Sequence, residues 1–372
     1  MPIYDSDAHI SEPAEIFDDA YLEPAFRTRR PQVVGIEGRA HWVIDSQLYP
    51  RWTGRGCHIM GTPTRLNGQA SKFAATKPES LESLELSDPQ ARLRDMDRES
   101  LDVQVIYPSL FLYQPLSTDP ALLGALQRSY HNYLADKLNG QERLRWVATV
   151  ALHDPAEAAR EVRRTAEMGA CGVMIGGTAG DRPLNDPSVA PFWDAVAEAN
   201  LPVAVHVLWC WEPLTNFYDQ IMFSSALGFV LPVLMGFAAV VGGGVLDRYP
   251  DLKVGFFEAG CLWLHFLTDR LNHRFDNNRA LQQATNVMPA LARQPAGEYL
   301  KTGRVFINCE VEDPLLPQVI DLIGEDQILF ASDMPHNDRE PFAARELERR
   351  EDISESAKRK ILWDNSVRFC GR

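Results

Sequence analysis

Four side chains in this sequence have the types and positions of a metal-ligand set. Asp7 and His9 close the run Pro2-Ile3-Tyr4-Asp5-Ser6-Asp7-Ala8-His9, His206 closes Pro202-Val203-Ala204-Val205, and Asp333 closes Ile328-Leu329-Phe330-Ala331-Ser332. Side chains alternate faces along a strand, so Asp7 and His9, two apart, point the same way. Carboxylate oxygen together with imidazole nitrogen is a donor set for Zn, Mn or Fe. A cation held there polarises a carbonyl and lowers the pKa of a bound water. Taken singly, each residue has an ordinary explanation: a strand-end His is often packed core, and Asp333, before Met334-Pro335, has the form of a helix cap. Independent structural roles do not place Asp-x-His, His and Asp at three separate strand ends.

A parallel barrel is the architecture that brings strand ends to one mouth. From Asp88 onward helical and strand signals alternate. Asp88-Pro89 opens a helix to Ser100, followed by a strand at Val103–Tyr107; helix Asp119–Asn139 precedes strand Trp146–Val150. Asp154-Pro155 caps a helix to Met168, then come strand Gly172–Ile175, helix Ser188–Ala199 and the His206 strand. Lys253–Glu258, Arg304–Glu310 and Gln327–Asp333 read as strands six, seven and eight. The expectation is a (β/α)8 barrel forming one domain over 1–372, with an insertion at about 12–87 over its mouth and a helical C-terminal tail. Within the insertion, His41–Asp45 and Gln47–Tyr49 read as a two-stranded ribbon.

The balance of 37 basic against 51 acidic residues, a formal charge of −14, argues against nucleic acid or anionic lipid as a partner. The six cysteines are scattered without a C-x-x-C pair, and no signal peptide opens the chain, so reduced thiols and a cytoplasmic location are expected. Leu227–Leu246 is nearly uncharged for about the length of a membrane span, but contains Pro232 and Gly242-Gly243-Gly244 and lacks basic flanks. It reads as a buried or subunit-facing helix, and predicts a homo-oligomer if its apolar surface is not covered within one subunit.

The chain resembles the amidohydrolase superfamily, in the branch with aminocarboxymuconate-semialdehyde decarboxylase. The resemblance is carried by Asp5-Ser6-Asp7-Ala8-His9-Ile10-Ser11-Glu12, Arg92-Leu93-Arg94-Asp95-Met96-Asp97, Val103–Pro108, Gly244–Pro250, Phe257-Glu258-Ala259-Gly260-Cys261-Leu262-Trp263-Leu264 and Leu329–His336. It implies that Asp7, His9, His206 and Asp333 hold a divalent ion and that Asp333 accepts a proton from bound water. The sequence departs from the family pattern twice. Many relatives have His-x-His where this chain has Asp7 and His9, and decarboxylases commonly have His where Glu258 ends strand six. The second departure argues against decarboxylation by the usual route.

His265 reads either as an ordinary surface or packing histidine or, in a sharper reading, as joining Glu12 and Glu258 as ligands for a second ion, as in some dinuclear relatives; Glu12 joins Asp333 as a candidate catalytic carboxylate. His336 is expected to orient a ligand, Glu310 to line the pocket or lie in solvent, and Glu312 to be solvated. Trp52, Trp209, Trp211 and Phe217 are candidates for an aromatic pocket. His41, His58, His131, His153 and His273 have no supporting constellation. The first reading is a metal-dependent hydrolase of a small organic molecule. The alternatives are a dinuclear Fe or Mn oxygenase, a non-oxidative decarboxylase, and a metal-binding partner subunit without turnover, the last implying a related chain as partner.

Overall fold

The computed structural model describes residues 1–285, 292–337 and 339–371. Eight parallel strands alternate with helices as a (β/α)8 barrel: β1 Tyr4–Ile10, β2 Val103–Pro108, β3 Leu144–Trp146 continuing into Ala148–Thr149, β4 Val173–Ile175, β5 Val203–His206, β6 Val254–Phe257, β7 Val305–Cys309 and β8 Ile328–Phe330. Each pairs in parallel with its successor from β1 through to β8. Strands β4 to β8 are buried along their whole length. Apolar side chains on both faces, as in Val254-Gly255-Phe256-Phe257, fit a sheet filled inside and covered by helices outside.

Strand β1 is the exception, rich in polar groups yet fully buried. Its register against β2 advances three residues from Asp5 to Ala8 while β2 advances two, from Gln104 to Ile106. That extra residue is a bulge, a common device for re-aiming side chains beside a site. Asp5 accepts from Gln104 Nε2 at 2.9 Å on one side, and from the Ser332 amide (2.8 Å) and hydroxyl (2.5 Å) on the other. Ser6 Oγ donates to the Phe330 carbonyl at 2.6 Å. Buried polar groups thus close the barrel between β1 and the end of β8. Burial pushes the Asp5 carboxyl up to about 7, against the pull of its donors.

Three helices begin with the same device. Asp88, Asp119 and Asp154 each precede a proline at the first helical position and accept the amide of the residue two further on. Each such cap stabilises its helix by about 1 kcal/mol. At the opposite end of the barrel from the site, Phe369 of the C-terminal helix packs its ring 5.7 Å from Phe257 and 5.0 Å from Phe306. Asn365 Nδ2 donates to the Ile328 carbonyl at 2.7 Å, so the tail is tied to β8.

Between β1 and β2 lies a three-stranded antiparallel sheet, Gln32–Ile36, Arg39–Ile44 and Gln47–Tyr49, where the sequence predicted only two strands. The added strand Gln32–Ile36 is mostly exposed, so it carries no alternation of buried and solvated residues to mark it. Ile221–Gly242 is long and apolar enough to cross a membrane by composition alone, but half of that window is buried in the protein. Helix Leu231–Gly242 lies so close to the loop after β4 that a Cβ on Gly177 would sit 1.6 Å from the Pro232 carbonyl oxygen. Phe217, Met222 and Phe266 remain 73%, 64% and 69% exposed.

Candidate metal centre

The two imidazoles are oriented by backbone carbonyls. His9 donates Nδ1–H to Pro108 O at 3.0 Å, and His206 donates Nδ1–H to Val207 O at 2.9 Å. Each donation fixes the tautomer and leaves the Nε2 lone pair facing inward. Arg92, fully buried, donates to the His9 carbonyl at 2.6 Å and to Ser83 O at 3.2 Å, steadying the strand end that carries the ligand. Burial lowers the Arg92 guanidinium to about 10, where it still holds its charge at neutral pH.

Inside this frame, His9 Nε2 lies 3.4 Å from Asp7 Oδ1, 3.3 Å from Asp333 Oδ1 and 3.8 Å from Glu258 Oε2. His206 Nε2 lies 3.3 Å from Asp7 Oδ2 and 3.4 Å from Glu258 Oε2. Two overlapping sets, Asp7-His9-His206-Glu258 and His9-Glu258-Asp333-His336, each bring their donor atoms within 4.8 Å of one another. The sets share His9 and Glu258 and therefore outline one centre. Both Asp7 oxygens and the Nε2 atoms of His9 and His206 are buried and complete no hydrogen bond among the described residues. Buried polar atoms converging without hydrogen bonds are costly unless a cation lies between them, so this donor set fits a divalent ion.

The electrostatics agree with that fit. Burial would raise the Asp7 carboxyl, but the neighbouring His206 and His9 outweigh it and hold Asp7 well below the usual carboxylate range. Burial and the nearby His336 push His9 down, toward the neutral ligand form. Burial opposes protonation of His206, but Asp7 beside it wins and raises it.

Glu258 and Asp333 both leave their strands in the left-handed region, with φ of 59° and 52°. That conformation is costly for a non-glycine residue and concentrates at functional sites. The Glu258 amide donates to Asn308 Oδ1 at 2.7 Å, and the Asp333 amide donates to the Asp7 carbonyl at 3.0 Å. His336 Nδ1 lies 2.7 Å from Asp333 Oδ1, and its Nε2 lies 2.8 Å from Ser109 Oγ, so the expected orienting group is in contact with Asp333.

The structure therefore brings together Asp7, His9, His206, Glu258 and Asp333, and leaves out two candidates. Glu12 is buried and spends both oxygens on main-chain amides, accepting from Ser109 N at 2.9 Å and Leu110 N at 2.8 Å; burial pushes its carboxyl up to about 8. It organises the turn after β2 rather than reaching the centre. His265 is exposed on helix Trp263–Thr285 and hydrogen-bonds the Gln318 carbonyl at 2.9 Å. The helix begins only at Trp263, after the left-handed turn at Gly260, so its first turn faces the helix Leu316–Ile323. A second-ion set of Glu12, Glu258 and His265 does not assemble.

A cavity of about 520 Å³ opens over the centre, reached by Asp7, Glu258 and Asp333. Its apolar side includes Ile59, Met60, Trp209 and Phe229, the last two stacked at 4.1 Å. Glu310 and Glu312 also line it, and both are exposed. Among the four aromatic candidates only Trp209 lines this cavity; Trp211 lines a different one, and Phe217 is on the surface. Sequence reading missed Asn308, Ser109 and Arg339. Asn308 was detectable as a lone amide inside the apolar run Val305-Phe306-Ile307-Asn308-Cys309. Arg339, a further lining residue, pairs with Glu99 at 2.5 Å and Glu79 at 3.2 Å and had no local signal.

This barrel and strand-end centre belong to a known class: the chain is a member of the Amidohydrolase family, whose model matches residues 36–372. It is 24% identical over 290 residues to 2-amino-3-carboxymuconate-6-semialdehyde decarboxylase of Dictyostelium discoideum, covering 76% of this chain and 77% of that protein. Its fold is similar to that of an amidohydrolase from Mycobacterium avium subsp. paratuberculosis K-10, with a TM-score of 0.77, 23% identity, and 100% and 98% of the two chains covered. It is also similar to manganese-bound 5-carboxyvanillate decarboxylase from Novosphingobium aromaticivorans DSM 12444, with a TM-score of 0.66, 22% identity, and 81% and 87% covered. The family resemblance read from the strand-end motifs is borne out.

Proposed function

We propose that this chain is a divalent-metal-dependent, non-oxidative decarboxylase of a small aromatic or unsaturated carboxylic acid. The observation that carries this reading is the joining of one donor set, Asp7, His9, His206, Glu258 and Asp333, to the chain of contacts Asp333–His336–Ser109, under a partly aromatic cavity. Hydrolysis was the first expectation from sequence. The relatives with a named reaction are decarboxylases, and this favours loss of carbon dioxide instead.

A divalent ion bound here would supply a positive charge that holds the substrate's oxygens and draws electron density from the ring. The residues supply the rest. Trp209 and Phe229 offer flat apolar surface to the body of the acid. The bond between the ring carbon and the carboxylate carbon breaks, leaving its electron pair on the ring carbon, and carbon dioxide departs. A proton held at Asp333 forms the new C–H bond, and His336, in contact with Asp333 and Ser109, replaces it. This donor does not depend on a histidine at the end of β6, so Glu258 there is compatible with the reaction.

The test is carbon dioxide release from a panel of hydroxylated aromatic acids by manganese-loaded protein. One carbon dioxide per acid consumed is expected, with Asp333→Asn slowing turnover by about a hundredfold or more. Cleavage of esters or amides with no carbon dioxide from any acid would overturn the reading in favour of hydrolysis.

A further inference from the structure

Glu258 reaches the centre from just beyond β6, on a turn of the backbone that both neighbouring strands hold. Between the parallel strands β6 and β7, each strand donates at every second residue. Val254 N donates to Arg304 O at 2.9 Å, and the register runs from Val254–Val305 to Phe256–Ile307. Two steps of two residues further, that ladder would carry Glu258 N to the main-chain carbonyl of Asn308. The side chain of the same residue takes its place: Asn308 Oδ1 accepts from Glu258 N at 2.7 Å.

The peptide between Phe257 and Glu258 is therefore clamped at both edges. Its carbonyl accepts from Val207 N at 3.3 Å on the β5 side, and its N–H donates to Asn308 on the β7 side. With the plane of that peptide fixed, rotation about the N–Cα bond of Glu258 sets where its Cβ points. The left-handed φ of 59° found there is costly for a residue with a Cβ, and persists where surrounding bonds over-determine it. Held this way, Glu258 Oε2 lies 3.4 Å from His206 Nε2 and 3.8 Å from His9 Nε2. The clamp also touches a second ligand, because Val207 O accepts from His206 Nδ1 at 2.9 Å. Asn308 itself is buried in the run Val305-Phe306-Ile307-Asn308-Cys309, where an amide is unfavourable unless it is hydrogen-bonded. Packing alone does not call for an amide at that position.

We infer that Asn308 is a positioning residue: its side-chain oxygen holds the Phe257–Glu258 peptide so that the Glu258 carboxylate bears on the ion, and it thereby sets the affinity of the centre for manganese. This rests on the reading that the strand-end donor set holds a divalent ion, and not on the reaction that follows. The test is calorimetric titration of manganese into the metal-stripped full chain, arranged as a double-mutant cycle. Asn308→Leu should weaken binding about tenfold to a hundredfold, the range found for groups that orient a ligand. Asn308→Ala makes the same removal without adding an apolar branch and should lose as much. Asn308→Asp keeps an oxygen acceptor there and should stay within about threefold of the parent. In Glu258→Ala protein, itself a weaker binder, adding Asn308→Leu should change affinity by less than about twofold, because the residue acts through Glu258. Thermal melting without metal confirms that the variants fold. Unchanged affinity in folded Asn308→Leu or Asn308→Ala overturns the inference and leaves the metal reading intact. An equal loss in the parent and Glu258→Ala backgrounds does the same, since it would mark a merely structural role. Absence of saturable manganese binding by the parent overturns the metal reading and the inference with it.

Discussion

The amide of Asp333 donates to the carbonyl of Asp7 at 3.0 Å, so two candidate ligands from the last and first strands are joined through their own backbones. The next pair along, His9 N to Met334 O at 2.6 Å, extends the seam. The spacing of the carboxylates at the barrel mouth is therefore set by main-chain geometry and by the left-handed turn at Asp333, not by flexible side chains. Such preorganisation keeps donors converged at little entropic cost when an ion binds.

The first prediction follows from that convergence. Asp7→Asn keeps the side-chain volume but removes the charge that both imidazoles face, and His206→Ala removes one nitrogen donor. Each should lower manganese affinity by roughly a hundredfold or more, whereas His265→Ala should leave metal content as in the parent protein. Elemental analysis after dialysis against buffered metal reads the result. Full metal occupancy in Asp7→Asn would remove it from the ligand set.

Glu12 is expected to matter for stability and not for metal content. Glu12→Ala would leave the buried amides of Ser109 and Leu110 without their acceptor. At about 1–3 kcal/mol for each orphaned amide, the loss should be roughly 2–6 kcal/mol by denaturant unfolding, with metal stoichiometry retained in whatever folds. Loss of the metal without loss of stability would return Glu12 to the centre.

The residues these variants test also show what was legible in the sequence. Asp7, His9, His206 and Asp333 were visible because each ends an apolar run, and a parallel barrel gathers such ends wherever it closes. Glu12 and His265 were misplaced because their positions depend on turns: a capped turn after β2, and a glycine turn that delays the helix to Trp263. Local spacing does not encode which way a turn aims a side chain. Arg339 and Ser109 join the site across long sequence separation, which no window of the sequence contains.

A pH test is available away from the metal centre. Thr149 N donates to His131 Nε2 at 2.9 Å, so the ring is neutral with its proton on Nδ1, which faces Glu161 Oε1 at 2.5 Å. Burial opposes ionisation of Glu161, but His131 and Arg164 overcome it and hold its carboxyl down at about 2. Burial also lowers His131, against the pull of Glu161. For both groups the unfolded chain binds more protons, so stability rises with pH. The His131 contribution is present above about 6.5 and fades as pH falls through its lowered value; that of Glu161 is present above about 4.5 and fades toward 2. Glu161→Gln should lose about 3 kcal/mol at neutral pH, and the difference from the parent should shrink on acidification below about pH 4.5. A difference that stays constant through the acid limb would show that the pair is not ionised as argued.

The apolar segment yields the last prediction. Gly177, just after β4, has the Pro232 carbonyl oxygen 1.6 Å and its carbon 2.2 Å from where a Cβ would stand. On the facing helix, a Cβ at Gly236 would come within 2.8 Å of Val205 Cγ1 and 3.0 Å of Gly177 Cα. Two glycines in mutual contact let the helix backbone approach the barrel closely, a packing that a hydrophobic surface alone does not require. Val205 immediately precedes His206, so displacing the helix reaches a candidate ligand through one residue. Gly177→Ala meets rigid backbone and should destabilise the fold by about 3 kcal/mol or more, lowering manganese affinity as well. Gly242→Ala is the control, because its nearest neighbour would be the flexible Leu271 side chain at an ordinary 3.5 Å. Thermal melting of both variants with and without manganese separates the effects. A Gly177→Ala protein as stable as the parent would show that the helix does not pack against the barrel in this way.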